Sequence, residues 1–408
     1  MTDHPRIIES SFNSPASTDK VRLLFGARQT GKSTLLRRTS TEDTLTFNLQ
    51  ERRIRLELER NPASFTQTLE AHRHYPLSVH VDEVQKVPPI LDEVQYLVDR
   101  YPGRFRFVLT GSSSRKFKTA SANLLPGRAH RYQLCPVTQL ERIGHQAGRV
   151  FPLTMLTSDA PGFPSVQLND VLLHGNLPGI AHEPPASRAR TLESYVELYL
   201  EEEIRREALV RNVGAFHQFL ELAALESGSI INLHNLSRES GVPVSTLRTY
   251  YQILEDTFIA YRVSAYGING RKRVLTTPRI ILFDNGVRNA AARLRTDHEL
   301  LKTQMGVLLE NWVGQELMHR CLYAGRSYRV SFWRTAHGAE VDYVLETPDE
   351  VIPIEVKATD SPQPSDARHL KLFLETYPEK ARRGFVICRC QAPRRLTEQI
   401  EAVPWHML

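Results

Sequence analysis

The chain is 408 residues long, 41% hydrophobic and 24% charged, with 52 Lys+Arg against 46 Asp+Glu and a formal net charge of +6. That length calls for two or three domains rather than one core, and the balance of apolar and charged residues excludes a disordered chain. No apolar run approaches the ~18 residues of a spanning helix, and the polar start MTDHPRIIESSFNSPASTDK lacks a signal-peptide core, so no membrane association is expected and the cytoplasm is the expected compartment.

Residues 1–150 alternate short β-like runs with helical stretches, the pattern of an α/β sheet. VRLLF (21–25) reads as a strand and KSTLLRRTS (32–40) opens a helix; TLTFNL (44–49) and RRIRLELER (52–60) repeat the pair. LSVHVDE (77–83) and FRFVLTGSS (105–113) are further strands, each ending in small or acidic residues, as strands do where they deliver groups to an active edge.

Between the first strand and its helix, Gly26, Ala27, Arg28, Gln29, Thr30, Gly31, Lys32 and Ser33 fit G-x-x-x-x-G-K-[ST], with Thr34 next to them. Glycines let successive backbone N–H groups turn toward phosphate oxygens, and the positive end of the following helix adds to that field. Lys32 is assigned to the β and γ phosphates of ATP and Ser33 to Mg²⁺. The plain alternative is an ordinary turn. Asp82 and Glu83 close an apolar strand, the arrangement of a Walker B element: Asp82 would hold Mg²⁺ and Glu83 would polarise the attacking water.

Ser112 and Ser113, after the next strand, are candidate sensors of the γ-phosphate or the lytic water, although a Ser-rich turn explains either serine equally well. Arg128, in LLPGRAHRYQL, is a candidate finger that reaches the site of a neighbouring subunit; a surface arginine is the plain reading.

GARQTGKST, VHVDEVQKVP, VLTGSSS and LPGR together resemble the AAA-type domain of a widespread family of prokaryotic ATPases that carries a C-terminal domain of uncharacterised function. HGNLPGI, LENWVGQEL and EVDYV…IEVK look like that C-terminal part. The resemblance implies an AAA-type ATPase with Arg128 acting in trans within a homo-oligomer, a ring being one form. It implies no substrate.

A loop and helical connector is expected over 151–225, with Gly- and Pro-rich GFPSVQLNDVLLHGNLPGIAHEPPASRA followed by helical TLESYVELYLEEEIRREALV and AFHQFLELAALES. Over 226–300, NLSRESGVPVSTLRTYYQILEDTFIAYRV is similar to a helix-turn-helix within a winged-helix domain. Leu236, Val242, Leu247, Tyr251 and Leu254 have core-like spacing. Ser245, Thr246, Arg248 and Thr249 fall on the early face of the second helix, where DNA is read, and Arg271, Lys272 and Arg273 fall where a wing would meet phosphates. The alternative is a helical packing module with a solvated basic loop.

Over 301–408 a helix (GVLLENWVGQELMHRC), strands EVDYVLE and VIPIEVKA, a helix (ARHLKLFLETYP) and a strand (RGFVIC) follow. If the first two strands pair as a hairpin, Asp342 joins Glu355 and Lys357 on one face, and Glu310 from the helix completes the group. The set resembles the PD-(D/E)xK nuclease core, in which carboxylates hold Mg²⁺ and the lysine orients water. Ordinary charge alternation on an edge strand is the alternative. Cys135, Cys321, Cys388 and Cys390 are too few for a disulfide scaffold, and the C-x-C pair lacks the second half of a zinc site; reduced thiols are expected.

The expected architecture is an α/β P-loop NTPase with an AAA-type parallel sheet, then a helical, winged-helix region and a small nuclease-like α/β domain. The expected function is ATP hydrolysis coupled to DNA as helicase, branch-migration or remodelling motor, with ATP and Mg²⁺ as cofactors. A nucleotide-dependent switch with a protein partner, and a defence-type effector whose ATPase gates a nuclease, are the alternatives.

Overall fold

The computed structural model describes residues 4–115, 125, 127–143, 162–200, 212–267 and 277–408. Arg271, Lys272 and Arg273 lie outside the described residues, as does the stretch 201–211 of the expected connector helix. Contacts divide the chain into two units. The first holds residues 1–135 with Asp256–Phe258, and the second holds the remainder.

Five strands build the first unit: β1 (Val21–Phe25), β2 (Leu45–Asn48), β3 (Leu77–Asp82), β4 (Phe105–Gly111) and β5 (Ala129–Gln133). They form one sheet, ordered β2-β3-β4-β1-β5, and every pairing is parallel. β1, β3 and β4 occupy interior positions, and their near-continuous apolar runs suit strands covered on both faces. β5 is an edge strand of mostly polar residues, which explains why hydrophobic patterning did not reveal it. Two helices matter for the site: α1 (Lys32–Thr39) and α2 (Ile90–Arg100), which buries Ile90, Leu91, Val94 and Leu97 at helical spacing. Because β4 lies between β1 and β3, the carboxyl ends of these three strands stand side by side. That is the edge where open parallel sheets bind ligands.

The second unit begins with helices. Within it, α3 (Val213–Leu225), α4 (Leu233–Ser240) and α5 (Val244–Asp256) share an aromatic core: Phe216 and Phe219 of α3 meet Tyr250 and Tyr251 of α5. Asn212 and Asn232 cap α3 and α4 through side-chain oxygens. α4 ends on Gly241 (φ 67), and Gly241, Val242 and Pro243 turn the chain into α5. Leu236, Val242, Leu247, Tyr251 and Leu254 are all buried.

β6 (Ala260–Ala265) and β7 (Arg279–Leu282) form an antiparallel pair. They continue into β8 (Arg329–Arg334), β9 (Glu340–Glu346), β10 (Val351–Val356), β11 (Gly384–Cys388), β12 (Arg394–Arg395) and β13 (Ile400–Pro404) as one eight-stranded sheet, β12-β13-β11-β10-β9-β8-β6-β7. Strands before and after residue 300 therefore belong to the same sheet. β9 and β10 pair antiparallel with Tyr343 opposite Ile354, the expected hairpin. β10 is central, between β9 and β11, and buried along its whole length. This removes the edge-strand reading of Glu355 and Lys357.

α6 (Asn285–Ala291), α7 (His298–Ala324) and α8 (Arg368–Thr376) pack against this framework. Neighbouring residues of β9 face opposite ways: the Tyr343 hydroxyl donates to the Glu310 carbonyl on α7 (3.0 Å), while Val344 joins Leu370, Phe373 and Leu374 of α8 in a core. The first glycine of HGNLPGI has a physical reason. Gly175 has φ +73, and a Cβ there would stand 2.0 Å from Oδ1 of Asp284, the residue that caps α6.

Candidate functional site

β1 delivers the loop 26–31 to the carboxyl edge of the first sheet. Gly26 has φ +154, and a Cβ on it would lie 2.3 Å from the carbonyl oxygen of Leu134. Gly31 (φ +100) enters α1 as its left-handed N-cap. Both fixed glycines of the motif thus answer a backbone requirement. Gln29 also has positive φ (61°), Arg28 is half-buried, and the buried Thr30 hydroxyl donates to the Ala27 carbonyl (2.9 Å). Lys32 is 6% exposed, and its amino group donates to the carbonyls of Gly26 (2.8 Å) and Ala27 (2.9 Å), which holds the cation inside the curl of the loop. Ser33 and Thr34 are exposed in the first turn of α1. Arg6, which sequence reasoning did not single out, is buried; it donates to the carbonyls of Thr30 (2.8 Å) and Cys135 (2.7 Å) and so braces the loop. A lone arginine in a polar segment carries no pattern that would have found it.

The end of β3 meets this loop. Ser33 Oγ donates to Asp82 Oδ2 at 3.2 Å, and Thr110, at the end of β4, donates to Asp82 Oδ1. The Thr110 hydroxyl also accepts from the Glu83 amide (3.1 Å). Asp82 and Glu83 are both 7% exposed. Glu83 has φ 60, a left-handed conformation that costs a non-glycine residue of order 1–3 kcal/mol and concentrates at functional sites. Ser112 Oγ donates to Glu83 Oε2 (3.0 Å), and so does Nε2 of Gln85, a second residue that the sequence left unmarked. Ser113 is placed differently: its hydroxyl accepts from the Arg115 amide (3.2 Å), a local turn contact.

Arg128 stands elsewhere. Its carbonyl accepts from the Val21 amide at the start of β1, and its guanidinium pairs with Asp99 of α2 at 2.5 Å. At about 3.3 Å per residue, the five residues of β1 put its backbone roughly 16 Å from Gly26.

In the second unit, Ser245, Arg248 and Thr249 are exposed on α5 and Thr246 is half-buried, so the early part of that helix presents a polar face. A separate cluster sits where β7, α7, β9 and β10 meet. Asp342 Oδ2 accepts from the Val356 amide (2.8 Å), and Lys357 Nζ donates to Glu355 Oε1 (2.7 Å). Arg279, 4% exposed, donates to Glu310 Oε1 (3.1 Å) and to the Asp342 carbonyl (3.2 Å), and also pairs with Glu340.

Burial, then the Asp342 charge, pushes Glu310 and Glu355 above the usual carboxylate range. Burial raises Asp342 as well, against the pull of the Val356 N–H. For Lys357 burial works downward, but its hydrogen bond to Glu355 and the nearby carboxylates carry it upward overall. Glu355 Oε2 is buried without a hydrogen-bond partner. Among the described residues, no group of three or more His, Cys, Asp or Glu side chains is arranged to hold a metal ion. The four expected residues are thus neighbours in one charge cluster, with Arg279 as an added member, rather than a preformed three-carboxylate centre.

Cys388 and Cys390 are buried thiols with sulfurs 3.2 Å apart, and none of the four cysteines forms a disulfide. No helix among the described residues is long and apolar enough to cross a membrane.

Residues 18–143 match an AAA domain family, residues 165–298 a domain of unknown function (DUF8612) and residues 305–408 another (DUF4143). An uncharacterized protein of Mycobacterium tuberculosis is 24% identical over 357 residues, covering 84% of this chain and 71% of the relative. An uncharacterized protein of Mycobacterium bovis aligns with the same figures. One of Haemophilus influenzae is 23% identical over 366 residues, covering 83% of this chain and 82% of its own. The N-terminal part of the chain is similar to AAA domains, and its five-stranded parallel sheet fits a P-loop NTPase domain, a type that suggests nucleotide hydrolysis.

Proposed function

We propose that this chain is an AAA-type ATPase that couples ATP hydrolysis to work on DNA. The observation that carries the ATPase reading is the meeting of three strand ends: the Gly26–Ser33 loop, the Asp82–Glu83 pair and the Thr110–Ser112 hydroxyls form one hydrogen-bonded set. Ser33 and Asp82 are hard oxygen donors of the kind that suits Mg²⁺, which binds through one or two protein oxygens and the substrate phosphates. Bound there, Mg²⁺ would neutralise charge on the β and γ phosphates. Lys32 adds a fixed positive charge, Thr110 holds Asp82 in orientation, and Glu83 accepts the proton of the attacking water. Arg128 is too distant from its own loop to act in cis, and we assign it to the site of a neighbouring copy in a homo-oligomer.

The DNA part of the reading rests on α4 and α5. Their Gly241–Pro243 turn, the shared core with α3 and the exposed Ser245, Arg248 and Thr249 are what a helix inserted in a major groove needs. The test is ATP turnover with and without single-stranded, duplex and branched DNA, with Lys32→Ala as the blank. Stimulation by one of these supports a DNA-coupled motor. Turnover that ignores all of them replaces it with the nucleotide-dependent switch acting on a protein partner.

One observation favours a nuclease-like second site. The unpartnered, buried Oε2 of Glu355, beside Asp342 and Lys357, is an acceptor with its desolvation unpaid by the protein. We assign Asp342 and Glu355 to a divalent cation and Lys357 to an attacking water, with Glu310 completing the set once released from Arg279.

A further inference from the structure

Gln85 lies two residues beyond Glu83 and is 5% exposed. The left-handed turn at Glu83 (φ 60) leads into a single 3-10 turn, Val84–Lys86, which folds the two side chains onto each other. Gln85 Nε2 donates to Oε2 of Glu83 (2.5 Å) and to Oγ of Ser112 (3.0 Å), and Ser112 donates to the same Oε2 (3.0 Å). The amide orientation follows from chemistry: a carboxylate only accepts, so the NH₂ must face it and the carbonyl oxygen is left for another donor. That carbonyl, Oε1, is buried and has no hydrogen-bond partner. An acceptor left unpaired inside a protein is costly, and in a native structure it calls for an explanation, a catalytic role or a bound water among them.

Both bonds to the Glu83 carboxylate end on Oε2, so its plane is fixed and Oε1 is the oxygen left for a proton. A water carries two protons. One acceptor alone leaves it free to rotate; two acceptors orient its lone pair.

We propose, on the basis of the ATPase reading above, that Gln85 is the positioning residue of the hydrolytic centre. It pins Glu83 through Nε2, and its Oε1 is the second acceptor for the attacking water. In the step this serves, the water oxygen forms a bond to the γ-phosphorus while the bond from that phosphorus to the β,γ-bridging oxygen breaks, its electron pair leaving with ADP. The water proton passes to Glu83 Oε1 and from there to the phosphate released. Gln85 itself neither gains nor loses a proton.

The test compares wild type, Gln85→Met and Gln85→Glu in full-length protein, with Lys32→Ala as the blank, kcat and KM for ATP measured at one neutral pH, and thermal unfolding recorded for each variant. Gln85→Met keeps the buried shape and removes both polar atoms. Its kcat should fall about 100-fold, the low end of general-base effects, with KM within about twofold of wild type. Gln85→Glu removes the NH₂ from which Glu83 Oε2 accepts and sets a like charge beside it, so its kcat should fall at least as far. A structural role alone would lower thermal stability without a selective loss of kcat over KM. Wild-type kcat in Gln85→Met, or a fall in kcat matched by a rise in KM, overturns this inference and leaves the ATPase reading standing. Wild-type turnover no faster than Lys32→Ala overturns both.

Discussion

Ser33 and Asp82 lie 49 positions apart in sequence and 3.2 Å apart in space, the hydroxyl of one donating to Oδ2 of the other. This bond joins the first turn of α1 to the end of β3, and on the ATPase reading proposed above these two hard oxygens hold the Mg²⁺ that accompanies the nucleotide. Ser33→Ala should therefore lower ATP turnover at limiting Mg²⁺ and regain part of it at high Mg²⁺, while Asp82→Asn should not be rescued. Equal behaviour of the two variants across a Mg²⁺ titration would separate this pair from metal binding.

The first site was legible in the sequence because its signals are local. Gly26, Gly31 and Lys32 lie within one loop, and Asp82 and Glu83 end one apolar run. Gln85 and Arg6 were not legible, because their meaning depends on partners, Ser112 and the Thr30 carbonyl, that only the fold brings near. The hairpin of Asp342 and Glu355 was readable from alternation, but the central position of β10 was not. It depends on β11 pairing parallel from 31 residues downstream, with Ile354 opposite Phe385. Likewise Arg279, far from Glu310 in sequence, entered the second cluster only through the β7–α7 packing.

Two glycines of α7 should respond with opposite signs. A Cβ on Gly314 would stand 2.4 Å from the Tyr343 hydroxyl and 2.8 Å from Cδ1 of Ile281, whereas Gly306 has nothing within 4 Å. Gly314→Ala must displace a buried tyrosine and its bond to the Glu310 carbonyl, costing about 1–3 kcal/mol. Gly306→Ala gains helix propensity, up to about 1 kcal/mol. Denaturant unfolding of the two variants measures both, and a stabilised Gly314→Ala would contradict the packing described here.

Asp284 gives a pH prediction. Burial raises its pKa from 3.8 to about 6, against the lowering effect of backbone N–H groups of Asn176, Val287 and Gly286. A carboxyl raised on folding binds its proton more tightly in the folded state. Its contribution is therefore fully present below pH 3.8 and is lost as pH rises to about 6, by about 3 kcal/mol at 1.36 kcal/mol per unit. The difference in unfolding free energy between wild type and Asp284→Asn should fall in wild type's disfavour by that order across this window. A difference that stays flat from pH 4 to 7 would mean that Asp284 does not titrate there.

Glu355 predicts a metal effect without any assay of cleavage. Its buried Oε2 lacks a partner, and burial together with Asp342 raises the carboxyl above its ordinary range. Glu355→Gln should thus leave the unfolding temperature in EDTA unchanged or higher, and it should abolish any rise on adding Mg²⁺ or Mn²⁺. Retention of the full metal-induced rise would place the cation elsewhere.

Arg128 tests the assembly. Its pairing with Asp99 and its position beside Val21 keep it away from its own P-loop. Arg128→Ala should cut turnover by about 10³-fold, the low end of what arginine fingers supply, with ATP binding intact. Lys32→Ala, which removes the charge facing the phosphates, should be inactive as well. A mixed oligomer of the two variants, however, contains sites with an intact Lys32 facing an intact Arg128 from the next copy. Mixing the two inactive proteins should therefore restore a fraction of wild-type turnover that depends on their ratio. Activity that stays absent at every ratio, in subunits shown to exchange, would leave Arg128 as a surface partner of Asp99.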